Sequence, residues 1–113
     1  PSGDFSSDVV KKMSKMQLLA INAYEAAVQA VGTLDADGAF TGVHLDDWRD
    51  EFYRKHTGDN PSTKRKAFQR ARDDLIELRR FKVDNDIYRP DGDFPAIDEA
   101  RYVEIIKKRD TGQ

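Results

Sequence analysis

The chain has 113 residues, enough for one domain and short of two, and a single core of that size buries roughly 65% of the unfolded chain's surface. Its 19 basic and 21 acidic side chains leave a net charge of -2, so overall electrostatics name no partner, and the absence of cysteine excludes a disulfide framework, a thiolate metal site and a cysteine nucleophile. No apolar run approaches the ~18 residues needed to cross a bilayer, and the first residues lack the order of a secretory signal. A soluble, cytoplasmic protein with no membrane partner is therefore expected.

Residues 1 to 12 are polar, with Gly3 and several serines, and are expected as a flexible N-terminal segment. The folded domain is expected over residues 13 to 90. Ser14 and Gln17 have capping-box spacing, and Met13 and Leu18 stand at the spacing of a hydrophobic staple. Ile21, Tyr24, Val28 and Val31 then recur three and four apart on one face, with Ala20 and Ala27 beside them, which predicts a helix over about residues 15 to 31. Gly32 suits the left-handed position just past its end. Asp35, Asp37, Gly38 and Gly42 predict a turn-rich connection, and Val43-His44-Leu45 a very short extended segment.

A second helix follows, with Asp46 as its N-cap, Asp47, Asp50 and Glu51 toward the positive end of its dipole, and Arg54, Lys55 and His56 toward the negative end. Trp48 and Phe52, four apart, face the core, and Gly58 stops the helix. Asn60-Pro61 is a cap-and-first-residue pair that opens a third helix, whose apolar stripe is Phe68, Ala71, Leu75 and Leu78 with Ala67 on its edge. Ser62, Lys66, Gln69, Arg70 and Asp73 lie roughly opposite that stripe, flanked by Arg65 and Arg72. Phe81-Lys82-Val83, Asp84-Asn85 and Asp86-Ile87-Tyr88 spell a tight β-hairpin closed by Pro90. Residues 91 to 113 read as an acidic linker and C-terminal tail, in which the spacing of Tyr102, Val103, Ile105 and Ile106 favours a short helix.

The near-neutral total hides opposed blocks of charge. Residues 60 to 82 carry eight basic and three acidic side chains, whereas residues 1 to 59 carry six basic and ten acidic, and residues 83 to 104 two basic and seven acidic. A local positive field on an otherwise acidic chain steers a polyanion to one face; a merely solvated helix face is the competing explanation. Lys and Arg neutralise phosphates, while Arg and Gln make paired hydrogen bonds to guanine and adenine edges. Helical projection puts Arg65, Lys66, Gln69 and Arg70 on the outward surface. Lys64 lies nearer the core stripe but in the first turn, within reach of a phosphate, and Arg72 is at the flank. Arg79, Arg80 and Lys82, at the junction to the hairpin, suit backbone contacts.

Helix, minute strand, helix, basic helix, hairpin is the element order of a winged helix-turn-helix domain, so the expected fold is mainly α with a small β-hairpin. More narrowly, Val43-His44-Leu45-Asp46-Asp47-Trp48-Arg49-Asp50-Glu51-Phe52-Tyr53, continuing through Lys64-Arg65-Lys66-Ala67-Phe68-Gln69-Arg70-Ala71 to Leu75, resembles the C-terminal winged-helix module of RecA-like replicative helicase ATPases of phages and mobile elements. The resemblance covers about residues 14 to 90. It implies a DNA-binding fragment of a larger replication protein, with the third helix as recognition element in the major groove. The phosphate loop of such an ATPase is missing from this stretch, since none of the seven glycines opens a G-x-x-x-x-G-K-[ST] motif. The expected activity is therefore binding of duplex or single-stranded DNA without catalysis and without a cofactor. A protein-interaction or dimerisation module acting through the wing or the C-terminal Tyr102 to Ile106 segment, or a free-standing transcriptional regulator, is the alternative.

One feature departs from that resemblance. A wing that grips DNA carries Lys or Arg at its tip, whereas Asp84 and Asp86 stand there, leaving Lys82 and Arg89 at the root as its phosphate contacts. The wing is expected to stay off the duplex or to dock another protein. A calcium loop at Asp35-x-Asp37-Gly38 fails at both ends, because Thr33 and His44 fall where carboxylates are needed. His44 and His56 are twelve apart with no zinc-binding arrangement around them. The carboxylates of the second helix are explained by capping, and Asp73 and Asp74 lack a convergent Lys or His that would suit a two-metal nuclease. Of the aromatics able to stack on bases, Trp48 and Phe81 fall in the core pattern, and Tyr53 is the surface candidate.

Overall fold

The structure is a computed structural model that describes residues 15–56, 60–91 and 97–111. These form four helices and a small antiparallel sheet in the order α1 (Lys15–Val31), β1 (Val43–His44), α2 (Leu45–Lys55), α3 (Pro61–Glu77), β2 (Phe81–Asp84), β3 (Ile87–Pro90) and α4 (Glu99–Asp110). The strands lie in the order β1-β3-β2. The capping box at Ser14, the staple at Met13, the stop at Gly58 and most of the acidic linker fall outside the described residues. No described helix is long and apolar enough to cross a membrane.

α1 covers the predicted span and buries Ala20, Ile21, Ala23, Tyr24, Ala27 and Val28. Val31 shares their phase, yet it is 46% exposed: it is the last helical residue, where the core gives out. Gly32 ends the helix for a different reason from the one its sequence position suggests. Its φ is not positive; instead a Cβ there would stand 2.5 Å from the Val28 carbonyl oxygen, so glycine is required by the close backbone of its own last helical turn, with Ile106 Cδ1 of α4 also near at 3.0 Å. Arg109 of α4 completes this end, donating from Nη2 to the Gly32 oxygen at 2.7 Å and from Nη1 to the Gln29 and Val28 oxygens at 3.3 and 3.4 Å. A cation from a distant helix thus satisfies the Gln29 and Gly32 carbonyls at the end of α1, while the Val28 oxygen also accepts from the Gly32 amide at 2.8 Å.

Trp48 and Tyr24 centre the core. The indole ring meets Tyr24 and Phe68 edge-on, each at 5.3 Å, and its Nε1 donates to the Ala20 oxygen at 2.8 Å, so α2 is pinned to both α1 and α3 by one side chain. A residue of that size, fully buried, is worth about 3 kcal/mol or more against truncation to Ala. The Tyr24 hydroxyl donates to the Tyr88 carbonyl and ties α1 to β3. Beyond Pro90 the core continues: Tyr102 and Ile106 of α4 are fully buried, and the Tyr102 ring lies 5.4 Å from Tyr24 and 5.6 Å from Phe40. The segment expected as a linker and tail therefore supplies a packed helix of 12 residues against α1.

α2 begins earlier than its sequence suggests, and its cap is His44, not Asp46. The sheet decides this. Val43 and His44 pair with Tyr88 and Ile87, and the Leu45 amide donates to the Asp86 oxygen at 2.8 Å, holding the chain extended up to the first helical residue. His44 Nδ1 then accepts from the Asp46 amide at 3.0 Å, while Asp46 pairs with Arg49 at 2.9 Å. Gly42, at φ 102°, lets β1 approach β3; a Cβ there would collide with Ile87 and Arg89.

The hairpin turn is Asn85-Asp86, one residue later than the predicted Asp84-Asn85. Both turn residues have positive φ, 53° and 65°, as a two-residue turn matched to strand twist requires, and Asp84 and Ile87 close it. That register keeps Phe81, Tyr88 and Pro90 buried.

Candidate nucleic-acid interface

α3 is placed by its own cap and its own stripe. Asn60 Oδ1 accepts from the Ser62 amide at 2.8 Å with Pro61 as the first helical residue, and Phe68, Ala71 and Leu75 are the buried face. Leu78, expected in the stripe, is the C-cap and 48% exposed. The helix closes with paired hydrogen bonds, Arg80 N to the Leu75 oxygen and Arg79 N to the Ile76 oxygen, and Arg79 takes a φ of 61°. Glycine is the usual occupant of that position.

With that stripe inward, Arg65, Lys66, Gln69 and Arg70 stand exposed on the outer side. Among the described residues, no carboxylate pairs with Arg65, Lys66 or Arg70. Three cations thus crowd the first half of a helix whose first turn holds no acid. This arrangement opposes the helix dipole in stability terms, and it adds to the dipole's field as seen by an anion.

The other sequence-selected cations divide differently. Lys64 is half-buried and reaches back to the Tyr53 carbonyl, 3.4 Å from Nζ. Arg72 lies 5.9 Å over the Phe68 ring and pairs with Asp73 at 3.3 Å, so its charge is largely committed. Burial holds the Tyr88 hydroxyl above its ordinary pKa, and the charge of Arg72 partly offsets the effect. Arg79 is exposed, Arg80 half-buried, and exposed Lys82 sits directly opposite exposed Arg89 in the hairpin. Like charges in register repel, so this pair favours an anion nearby.

The nine cationic and amide residues therefore form two patches. One lies at the start of α3, the other at the root of the hairpin, with exposed Asp73 and Glu77 between them; from Lys64 to Glu77 the helix runs about 20 Å. Asp84 and Asp86 stand exposed at the hairpin tip. Comparison with known families, curated proteins and solved structures gave no match.

Two open grooves flank α3. The larger, about 690 Å³, runs past Met16, Lys66, Arg70 and Asp74. The other, about 440 Å³, lies between α2 and α3 and contains Tyr53. Tyr53 is half-buried and meets the Phe68 ring edge-on at 6.5 Å, so its ring is shared between core and groove. Residue-by-residue reading did not anticipate this groove. Its trace is the two rows Leu45, Arg49, Tyr53 and Arg65, Gln69, Arg72, which become neighbours only once the helices pack. At the Asp35 turn, the carboxylate accepts from the Asp37 and Ala39 amides at 2.8 and 2.9 Å, which is a turn's use of an aspartate.

Proposed function

We propose that this chain is a winged-helix domain that binds DNA through α3 without catalysis, as an accessory module of a phage- or plasmid-type replication helicase. The helix–strand–helix–helix–hairpin order and the sheet order β1-β3-β2 support the fold reading. The observation that carries the binding reading is the exposed, unpaired state of Arg65, Lys66 and Arg70 among the described residues. Cations held for the fold's own sake would be spent on neighbouring acids; these are left for phosphates. The helicase assignment rests on the sequence resemblance.

The test is a salt titration of DNA binding. With four to six basic groups on phosphates, log affinity falls against log salt with a slope of about -4 to -5. Arg65→Ala and Arg70→Ala weaken binding, whereas Lys11→Ala and Lys12→Ala leave it unchanged. Affinity that does not respond to salt overturns the reading. A recombinase-like ATPase encoded immediately upstream in the same frame supports the helicase assignment, and a complete frame without one refutes it.

The hairpin tip favours a second reading, as a protein-contact or dimerisation surface. Val83 is 47% exposed beside Asp84 and Asp86, a combination suited to a protein and unsuited to a phosphate backbone. Light scattering with a gel shift separates the two. Dimerisation without a shift favours the interaction module, and both together favour a regulator on a palindromic site.

A further inference from the structure

Tyr53 is the aromatic that neither the core nor the phosphate face fully uses. It forms one wall of the α2–α3 groove together with Leu45, and Phe68 closes the floor. The rim is guanidinium: Arg49 and Arg72 are held by Asp46 and Asp73, and Arg65 is unpaired among the described residues. Asp50 is the one carboxylate in the lining, so the groove's charge complements an anion. Gln69, exposed on the same rim, offers an amide donor and acceptor. A flat, apolar wall beside an uncommitted cation, with an amide within the same groove, matches a nucleotide: a π-face to stack, a phosphate to neutralise and polar edges to hydrogen-bond.

We infer that the α2–α3 groove seats an unpaired base of single-stranded DNA, stacked on Tyr53, with the adjoining phosphate on Arg65. The inference rests on the nucleic-acid reading above and narrows it, because a paired base in a duplex cannot turn its face to Tyr53. The groove's volume of about 440 Å³ is of the size that small-molecule sites occupy. Duplex contacts through Lys66 and Arg70 remain available on the outer face, so the seat adds to electrostatic docking.

The decisive measurement uses the unaltered protein and two probes of equal charge: an oligothymidine of about ten nucleotides and the same phosphodiester chain made entirely of abasic sites. Fluorescence anisotropy at low salt should show the thymidine strand bound about five- to hundredfold more tightly. Equal affinity would assign the groove to phosphates alone and overturn the base seat while leaving the nucleic-acid reading intact. Binding of neither strand nor of duplex would remove both. Tyr53→Leu should abolish the preference for thymidine, and Tyr53→Phe should keep it; thermal melts of each variant confirm that the fold is retained. Should Tyr53→Phe lose the preference as fully as Tyr53→Leu, stacking is not the cause. Should Tyr53→Leu instead dissociate a dimer seen by light scattering, the groove is filled by a second copy and the proposal fails.

Discussion

Two buried tyrosines invite the same one-atom deletion with opposite consequences. Tyr24 and Tyr102 are both fully buried and their rings lie 5.4 Å apart, so Tyr24→Phe and Tyr102→Phe remove equal volumes from one cluster. Their hydroxyls differ: that of Tyr24 donates to the Tyr88 carbonyl, whereas that of Tyr102 finds no partner among the described residues. Losing a satisfied buried hydrogen bond costs about 1 kcal/mol, and an unsatisfied hydroxyl carries roughly 1 to 3 kcal/mol of desolvation. Tyr24→Phe should therefore destabilise by about 1 kcal/mol, and Tyr102→Phe should be neutral or stabilise by about as much. For a domain of this size the two melting temperatures should separate by about 4 to 8 °C. Urea and thermal denaturation at neutral pH, followed by circular dichroism, read the difference. If Tyr102→Phe destabilises by more than about 1 kcal/mol, its hydroxyl has a partner and the reasoning is wrong.

Three further outcomes follow from geometry already described. Arg109→Ala, which strips the Gln29 and Gly32 carbonyls at the end of α1 of their side-chain donor, should cost about 1 kcal/mol of stability, read as a lowered urea midpoint, the partial exposure of the side chain limiting the loss. Arg79→Gly relieves a left-handed side-chain position and should stabilise by about 0.5 to 1 kcal/mol, while weakening DNA binding about twofold or more at low salt; a loss of stability would refute the strain argument. Burial raises the pKa of Tyr24 and Tyr102, so the folded state keeps protons that the unfolded chain releases above pH ~10. Stability should hold level below that pH and then fall as pH rises, by about 1.4 kcal/mol per unit for each tyrosine, and a urea midpoint that stays flat to pH ~11 would contradict this.

What was legible in the sequence was local. The three-and-four spacing from Ile21 to Val28 placed α1, Asn60-Pro61 opened α3, and the Asp-Asn-Asp run placed the hairpin to within one residue of its turn. What was not legible depended on distant partners. The extended segment at Val43-His44 was legible, but not that α2 starts at Leu45 with His44 as its cap, which the pairing of β1 with β3 decides. The weak spacing from Tyr102 to Ile106 carried no sign that Tyr24 and Phe40 would receive that helix. Helical phase correctly exposed Arg65, Lys66 and Arg70 but could not show that Arg72 would be drawn onto Phe68 and Asp73. Val31 and Leu78 kept phase and lost burial because both stand at helix termini, where periodicity persists after the neighbours end.

The grip of Arg109 on the last turn of α1 also sets how the molecule breathes. Neither helix can unravel from that corner alone, because the peptide oxygens of one are quenched by the side chain of the other. Amide hydrogens at the base of α1 should therefore exchange with solvent in step with those of α4, as one cooperative opening, independently of the basic half of α3.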